Sequence, residues 1–93
     1  MKKHIRITGT VQGVGYRAAF ESEALTLQLA GWVRNRADGS VEAVIAGPQL
    51  AVERMIDWSR RGPVGAHVYG VTATDAEDDI SITPGIFKIL PSL

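Results

Sequence analysis

Two short stretches of the sequence carry groups suited to binding an anion and directing water. The first, TVQGVGYR at residues 10–17, places two glycines and an arginine where a strand is expected to pass into a helix. The amide hydrogens that begin a helix lack intrahelical partners and carry partial positive charge. Arg17 therefore meets an unfavourable potential there, unless an anion attracts both the amides and the guanidinium. This pattern favours an anion site at the turn.

The glycines of this stretch favour a bare phosphoryl group over a nucleotide. Gly13 and Gly15 let the backbone approach closely and turn its amides inward, as in a phosphate-binding nest. The stretch lacks the lysine and hydroxyl residue of a nucleoside triphosphate loop, and its glycine spacing is not the dinucleotide fingerprint. A purely structural turn beside a solvated arginine is the alternative interpretation.

Asn35, in the second stretch GWVRNRADGSVE, is a candidate for directing water. Its carboxamide offers both a donor and an acceptor. The end of the second strand in a split βαβ sandwich can lie beside the loop after the first strand, where Asn35 would orient water toward a bound phosphoryl centre. The alternative is an asparagine that merely ends a strand before a turn.

The elements that must position these residues begin with a strand and a helix. Ile5 and Ile7 alternate with polar residues, which predicts a strand with one buried face that stops at Gly9. A helix is predicted from about Tyr16 to Leu29, with its apolar stripe through Phe20.

The rest of the chain predicts a hairpin, a second helix and two further strands. Asp38–Gly39 is typical of a hairpin turn, and Pro48 fits the first turn of the second helix. Residues 66–74 are rich in β-forming side chains, and Phe87 with Ile89 predicts a short last strand. The order βαββαβ with a terminal strand indicates an α+β, ferredoxin-like (split βαβ) sandwich, with two helices on one face of an antiparallel sheet.

Composition limits the classes of protein and partner. Ninety-three residues with 45% hydrophobic content suit one domain spanning residues 1–93. Lys plus Arg equals Asp plus Glu at ten each, so no overall field attracts nucleic acid or an anionic membrane. The chain has no cysteine and no apolar run of signal-peptide or membrane-span length, which favours a soluble cytoplasmic protein.

A metal site and an RNA-binding face are weaker interpretations. His4 and His67 lack a third ligand at a recognisable spacing, and the acidic run 75–79 lacks the calcium-loop pattern, so we expect no metal. Trp32, with Arg34 and Arg36 on the same strand face, could form a platform for single-stranded RNA, although the neutral net charge disfavours it.

VQGVGYR, followed after a helix by GWVRNRADGSVE, resembles the acylphosphatases over nearly the whole chain. This resemblance implies hydrolysis of the carboxyl–phosphate bond of a small-molecule acyl phosphate, without metal or cofactor. It implies that Arg17 binds the phosphate and that Asn35 positions water. The implied phosphate cradle comprises Gln12, Gly13, Val14, Gly15, Tyr16 and Arg17. We separately expect a monomer.

Three residues depart from the pattern of that family. Tyr16 replaces the usual phenylalanine before the arginine, Thr10 stands where an arginine is common, and Gln28 occupies a position that is often glycine at the end of the first helix. We expect effects on stability or on the setting of the loop, without a change of reaction. A phosphate-binding module with little turnover is the alternative function.

Overall fold

The computed structural model describes residues 1–77 and 82–93. Its elements are β1 (Lys2–Thr10), α1 (Tyr16–Thr26), β2 (Ala30–Asn35), β3 (Val41–Ala46), α2 (Gln49–Ser59), β4 (His67–Asp75) and β5 (Phe87–Ile89). The predicted order of elements is confirmed.

One sheet holds all five strands in the order β4-β1-β3-β2-β5. The first four strands pair antiparallel, as predicted. Strand β5 instead pairs in parallel with β2, so the expectation of a wholly antiparallel sheet is wrong at this edge. The chain reverses direction after β4 and crosses to the far edge, which makes β5 antiparallel to β4 and parallel to β2.

The core lies between the sheet and the two helices, which pack on the same face. The alternation predicted for β1 is confirmed, because Ile5 and Ile7 are fully buried. Helix α1 contributes Phe20 to the same cluster, and α2 contributes Met55. Burial of such side chains is the main term that favours folding. Neither described helix is long and apolar enough to cross a membrane.

Helix α1 ends three residues earlier than its hydrophobic pattern predicts. The amide of Gln28 donates to Leu25 O (3.0 Å), and the amide of Leu29 donates to Ala24 O (2.9 Å). This bond pattern is a Schellman motif, in which the first residue beyond the helix takes a left-handed conformation. Gln28 does so with φ of 58°, the one positive φ of a non-glycine residue in the described chain. This conformation is unfavourable for a residue with a side chain, which agrees with the expected effect of this departure from glycine on stability.

Candidate active site

The connection between β1 and α1 presents unpaired amides to solvent. Gly13 and Gly15 both have φ of 78°, and Gly15 is the N-cap of α1. No side chain caps this helix, and its first turn contains no acidic residue. In the described chain, the main-chain amides of residues 13–18 have no hydrogen-bond partner. The arrangement predicted for an anion cradle is thus available at this end of α1.

A pocket of about 230 Å³ opens at this turn and brings together the two predicted stretches. Arg17 and Asn35 both line the pocket, which means that β2 carries Asn35 to the loop that follows β1. The sequence patterns did not indicate Ile89, which completes one wall from the neighbouring strand β5. The described residues that line the pocket are Val11, Gly13, Gly15, Tyr16, Arg17, Ala18, Asn35 and Ile89.

Arg17 lies in the first turn of α1, as predicted, and its side chain is half-buried. It makes no hydrogen bond or ion pair with any described residue. A cation beside the positive end of a helix is unfavourable by itself, whereas an anion in the pocket would interact with both groups. The guanidinium is therefore free to bind a ligand.

Asn35 ends β2, and its side-chain oxygen is buried without a partner. Of the buried side-chain oxygen and nitrogen atoms described, only Asn35 Oδ1 lacks a hydrogen bond. Its main chain is held firmly, since Asn35 pairs with Val41 and its carbonyl accepts from the amide of Leu93 (3.0 Å). An unsatisfied buried acceptor costs about 1–3 kcal/mol, so a donor such as water is expected there.

Two side chains of the 12–17 stretch, those of Gln12 and Val14, do not line the pocket. Gln12 Nε2 donates to Arg36 O (2.8 Å) and to Ser40 O (2.9 Å), in the turn between β2 and β3. Val14 packs against the core. Neither residue lines the pocket, so any contribution to a cradle comes from the main chain.

Tyr16 joins the loop to the end of α2. Its hydroxyl donates to Ser59 O (2.7 Å), and its ring packs against Trp58 at a centroid distance of 5.7 Å. Gly62 permits this position, because a Cβ there would lie 2.7 Å from the tyrosine ring. Burial raises the pKa of Tyr16 above its usual range. This hydroxyl is a structural group and not a proton donor to the pocket.

Known proteins of one family are similar to this chain in sequence. Residues 3–89 match the family described as Acylphosphatase. A relative named Acylphosphatase, from Azoarcus sp. (strain BH72), is 54% identical over 72 residues, which cover 77% of this chain and 74% of the relative. The chain belongs to the acylphosphatase family. This family membership confirms the resemblance found in the two motifs.

Two solved acylphosphatase structures share the fold. The acylphosphatase from Bacillus subtilis superposes with a TM-score of 0.81 at 33% identity, covering 96% of this chain and 97% of its own. The acylphosphatase from Coxiella burnetii gives 0.85 at 32% identity, covering 96% and 90%. These likenesses confirm the ferredoxin-like fold.

The sheet face opposite the helices of this acylphosphatase domain carries an ion cluster that the sequence patterns did not indicate. The Glu42 carboxylate contacts His4 Nε2 (2.6 Å), Arg34 Nε (2.8 Å) and Arg36 Nη1 (2.9 Å). Burial of Glu42 opposes its ionisation, but the hydrogen bonds from these three partners outweigh burial and lower its pKa to about 2. The Arg34 guanidinium also lies 4.8 Å from the centroid of the Trp32 ring. A nucleic-acid base would have to compete with Arg34 for that ring.

The described residues contain no group of three or more potential metal ligands. His4 is engaged with Glu42, and Asp75 of the acidic run pairs with Lys3 (2.6 Å). Asp78 and Asp79 of that run lie outside the described residues.

Proposed function

We propose that this acylphosphatase hydrolyses small acyl phosphates at the pocket between α1 and β2. In this proposal the main chain of residues 12–17 and the Arg17 guanidinium bind the phosphoryl group, and the Asn35 carboxamide positions the attacking water. The hydrolysis of acyl phosphates as a class follows from membership of the family.

One observation carries the assignment of the site. Two segments that are distant in the chain meet at one pocket, one supplying unpaired amides and a free guanidinium, the other supplying Asn35 Oδ1 as a buried acceptor without a partner. A phosphoryl oxygen satisfies the donors, whereas a water molecule satisfies the acceptor. The two sets of groups suit the two reactants of a hydrolysis.

The phosphoryl half of the pocket would act through electrostatics. Charge on the phosphoryl oxygens is stabilised by preorganised amide hydrogens and by the guanidinium of Arg17. These donors need little reorganisation during the reaction, because Gly13 and Gly15 already hold the main chain in the left-handed region. The fixed geometry lowers the barrier by orientation as well as by charge.

The water half of the pocket would act through position. Water donates a hydrogen to Asn35 Oδ1 and directs its oxygen at phosphorus. The new bond joins that oxygen to phosphorus, while the bond from phosphorus to the acyl oxygen breaks and its electron pair leaves on the carboxylate. The proton passes to a phosphoryl oxygen or to solvent. A carboxylate is a good leaving group, so no strong general acid is needed.

We further propose that residues 1–93 form a single domain and that the protein is cytoplasmic and monomeric. Its ligand is the small-molecule acyl phosphate, and we expect no nucleic-acid partner. The single continuous core supports one domain, the neutral composition disfavours nucleic acid, and the lack of cysteine suits a reducing compartment.

Release of inorganic phosphate from acetyl phosphate, with excess EDTA, tests the proposal. We expect turnover by the wild-type protein and a fall in kcat of about 10²–10³-fold for Arg17→Ala and for Asn35→Ala. Arg17→Lys should also lose most activity, since an ammonium cannot reproduce bidentate contacts to phosphate. Arg54→Ala and Gln49→Ala, which alter exposed residues of α2, serve as matched controls and should leave kcat unchanged.

Two outcomes would contradict the proposal in different ways. Wild-type protein that binds inorganic phosphate without turnover would indicate a phosphate-binding module. Folded Arg17→Ala and Asn35→Ala variants that hydrolyse at the wild-type rate would show that the site lies elsewhere.

A further inference from the structure

The side chain of Gln12 bridges two parts of the pocket that the sheet does not join directly. Arg17 follows β1, and Asn35 ends β2, but β3 lies between these two strands in the sheet. The pairing of β1 with β3 ends at Ile7 with Val41, and Val41 is also the partner of Asn35. Past Ile7, β1 pairs only with β4, through an irregularity at Thr8/Gly9.

Residues 8–10, which lead into the loop, therefore have no hydrogen-bonded strand of the described chain on the side toward β3. Gln12 supplies the link. Its Nε2 donates to Arg36 O at 2.8 Å and to Ser40 O at 2.9 Å, the carbonyls at the two ends of the turn from β2 to β3. The same carbonyls close that turn, since the amide of Arg36 donates to Ser40 O (2.9 Å) and the amide of Gly39 donates to Arg36 O (3.1 Å).

The side-chain carboxamide of Gln12 cannot also bind the phosphoryl group through its nitrogen. A carboxamide nitrogen carries two hydrogens, and both are directed at main-chain carbonyls. The first of these bonds fixes the carbonyl of Arg36, the residue that directly follows the proposed water-directing Asn35. The resemblance grouped Gln12 with the phosphate cradle, whereas its contacts suit a different role.

We infer that Gln12 is a positioning residue, which holds Asn35 in place relative to the phosphate-binding loop. This inference rests on the proposed function of the pocket. Loss of the Gln12 side chain should allow the loop to move relative to Asn35, whose own main chain stays fixed by its pairing with Val41. Attack by water depends on alignment within a fraction of an ångström, whereas phosphate binding by amides and Arg17 does not depend on Asn35.

Steady-state kinetics of Gln12→Met separate positioning from direct binding. Methionine keeps the length of the side chain but removes both donors. We expect kcat for acetyl phosphate to fall by about 10–100-fold, while the inhibition constant of inorganic phosphate changes by less than about twofold. A rise of about tenfold or more in that constant would show direct contact with phosphate and overturn the inference.

A double-mutant cycle with Asn35→Ala provides the second readout. If Gln12 acts through Asn35, then adding Gln12→Met to Asn35→Ala should lower kcat by less than about twofold. An equal loss in both backgrounds would overturn the inference. If Gln12→Met folds poorly, Gln12→Asn serves instead, because it keeps the donors on a shorter side chain. It should show the same kinetic pattern with a smaller loss of kcat. Wild-type protein without turnover would instead refute the proposed function.

Discussion

The buried hydroxyl of Tyr16 allows a quantitative test of how the 12–17 loop, the proposed phosphate cradle, is attached to the rest of the fold. Tyr16→Phe removes one oxygen and leaves the ring contacts with Trp58 in place. Ser59 is fully buried, and the described residues provide no other donor for its carbonyl oxygen. The substitution therefore leaves one buried acceptor unsatisfied.

The magnitude follows from that single acceptor. An unsatisfied buried carbonyl costs about 1–3 kcal/mol, and removal of the buried phenol oxygen recovers part of this cost. We expect a loss of about 1.5 kcal/mol in the free energy of unfolding, or about 6–12 °C in Tm for a domain of this size. The value of kcat should stay near that of the wild type, because the hydroxyl is directed away from the pocket toward α2.

Urea unfolding followed by tryptophan fluorescence measures this change, with Tyr69→Phe as the matched control. Tyr69 is 81% exposed, so the same chemical change there should leave stability unaltered. Equal stability of wild type and Tyr16→Phe would refute the reasoning. A loss of kcat above about tenfold in the folded variant would also refute it, since the hydroxyl would then have a role in the reaction.

The pH dependence gives a second check on the same bond. Burial raises the pKa of Tyr16, whereas an unfolded tyrosine ionises near pH 10. A group whose pKa is raised by folding contributes stability that is fully present below its unfolded pKa and is lost as the pH rises above it. The difference in stability between wild type and Tyr16→Phe should therefore be constant up to about pH 9 and shrink above pH 10.

Three further outcomes are expected. Gln28→Gly should raise the free energy of unfolding by about 0.5–1 kcal/mol, because relief of the left-handed strain exceeds the added chain entropy. Unchanged stability in urea unfolding would contradict this. Glu42→Gln should destabilise the protein by about 2 kcal/mol at pH 7. That loss should fade as the pH falls from 4.5 toward 2 in acid titrations of unfolding, and a difference that grows would be inconsistent with the depressed pKa of Glu42. The described residues that line the pocket carry no carboxylate, imidazole or thiol. We therefore expect that ionisation of enzyme groups does not change kcat between about pH 6 and 9, and a bell-shaped profile there would count against the assigned site.

Local patterns in the sequence were sufficient for most of the fold. Alternation at Ile5 and Ile7, the stripe through Phe20 and the turn at Asp38–Gly39 each depend on neighbours within a few residues, and the structure bears out all three. The end of α1 was predicted too late because apolar residues, Leu27 and Leu29, continue beyond the last helical residue, Thr26. Leu29 is buried just beyond the helix, where a Schellman motif commonly places a hydrophobic contact.

Features that depend on distant partners could not be predicted in this way. Strand β5 has three residues, too few for a period, and its direction depends on how the chain crosses the sheet. The Gln12 side chain bonds to carbonyls 24 and 28 residues away, so nothing near it in the sequence indicates its orientation. Glu42 occupies an outward position in an alternating strand, and its burial arises from the side chains of His4 and Arg34 on two other strands.

The uncapped start of α1 links the folding of this protein to its ligand. A helix that begins without a capping side chain forgoes about 1 kcal/mol, and a cation in its first turn adds to the deficit. An anion that occupies this position binds the native chain and not the unfolded one, and so shifts the equilibrium toward the native state. Inorganic phosphate, a product of the reaction, would then act as a stabiliser, and melting temperatures measured in phosphate buffer would include a contribution from occupancy of the pocket.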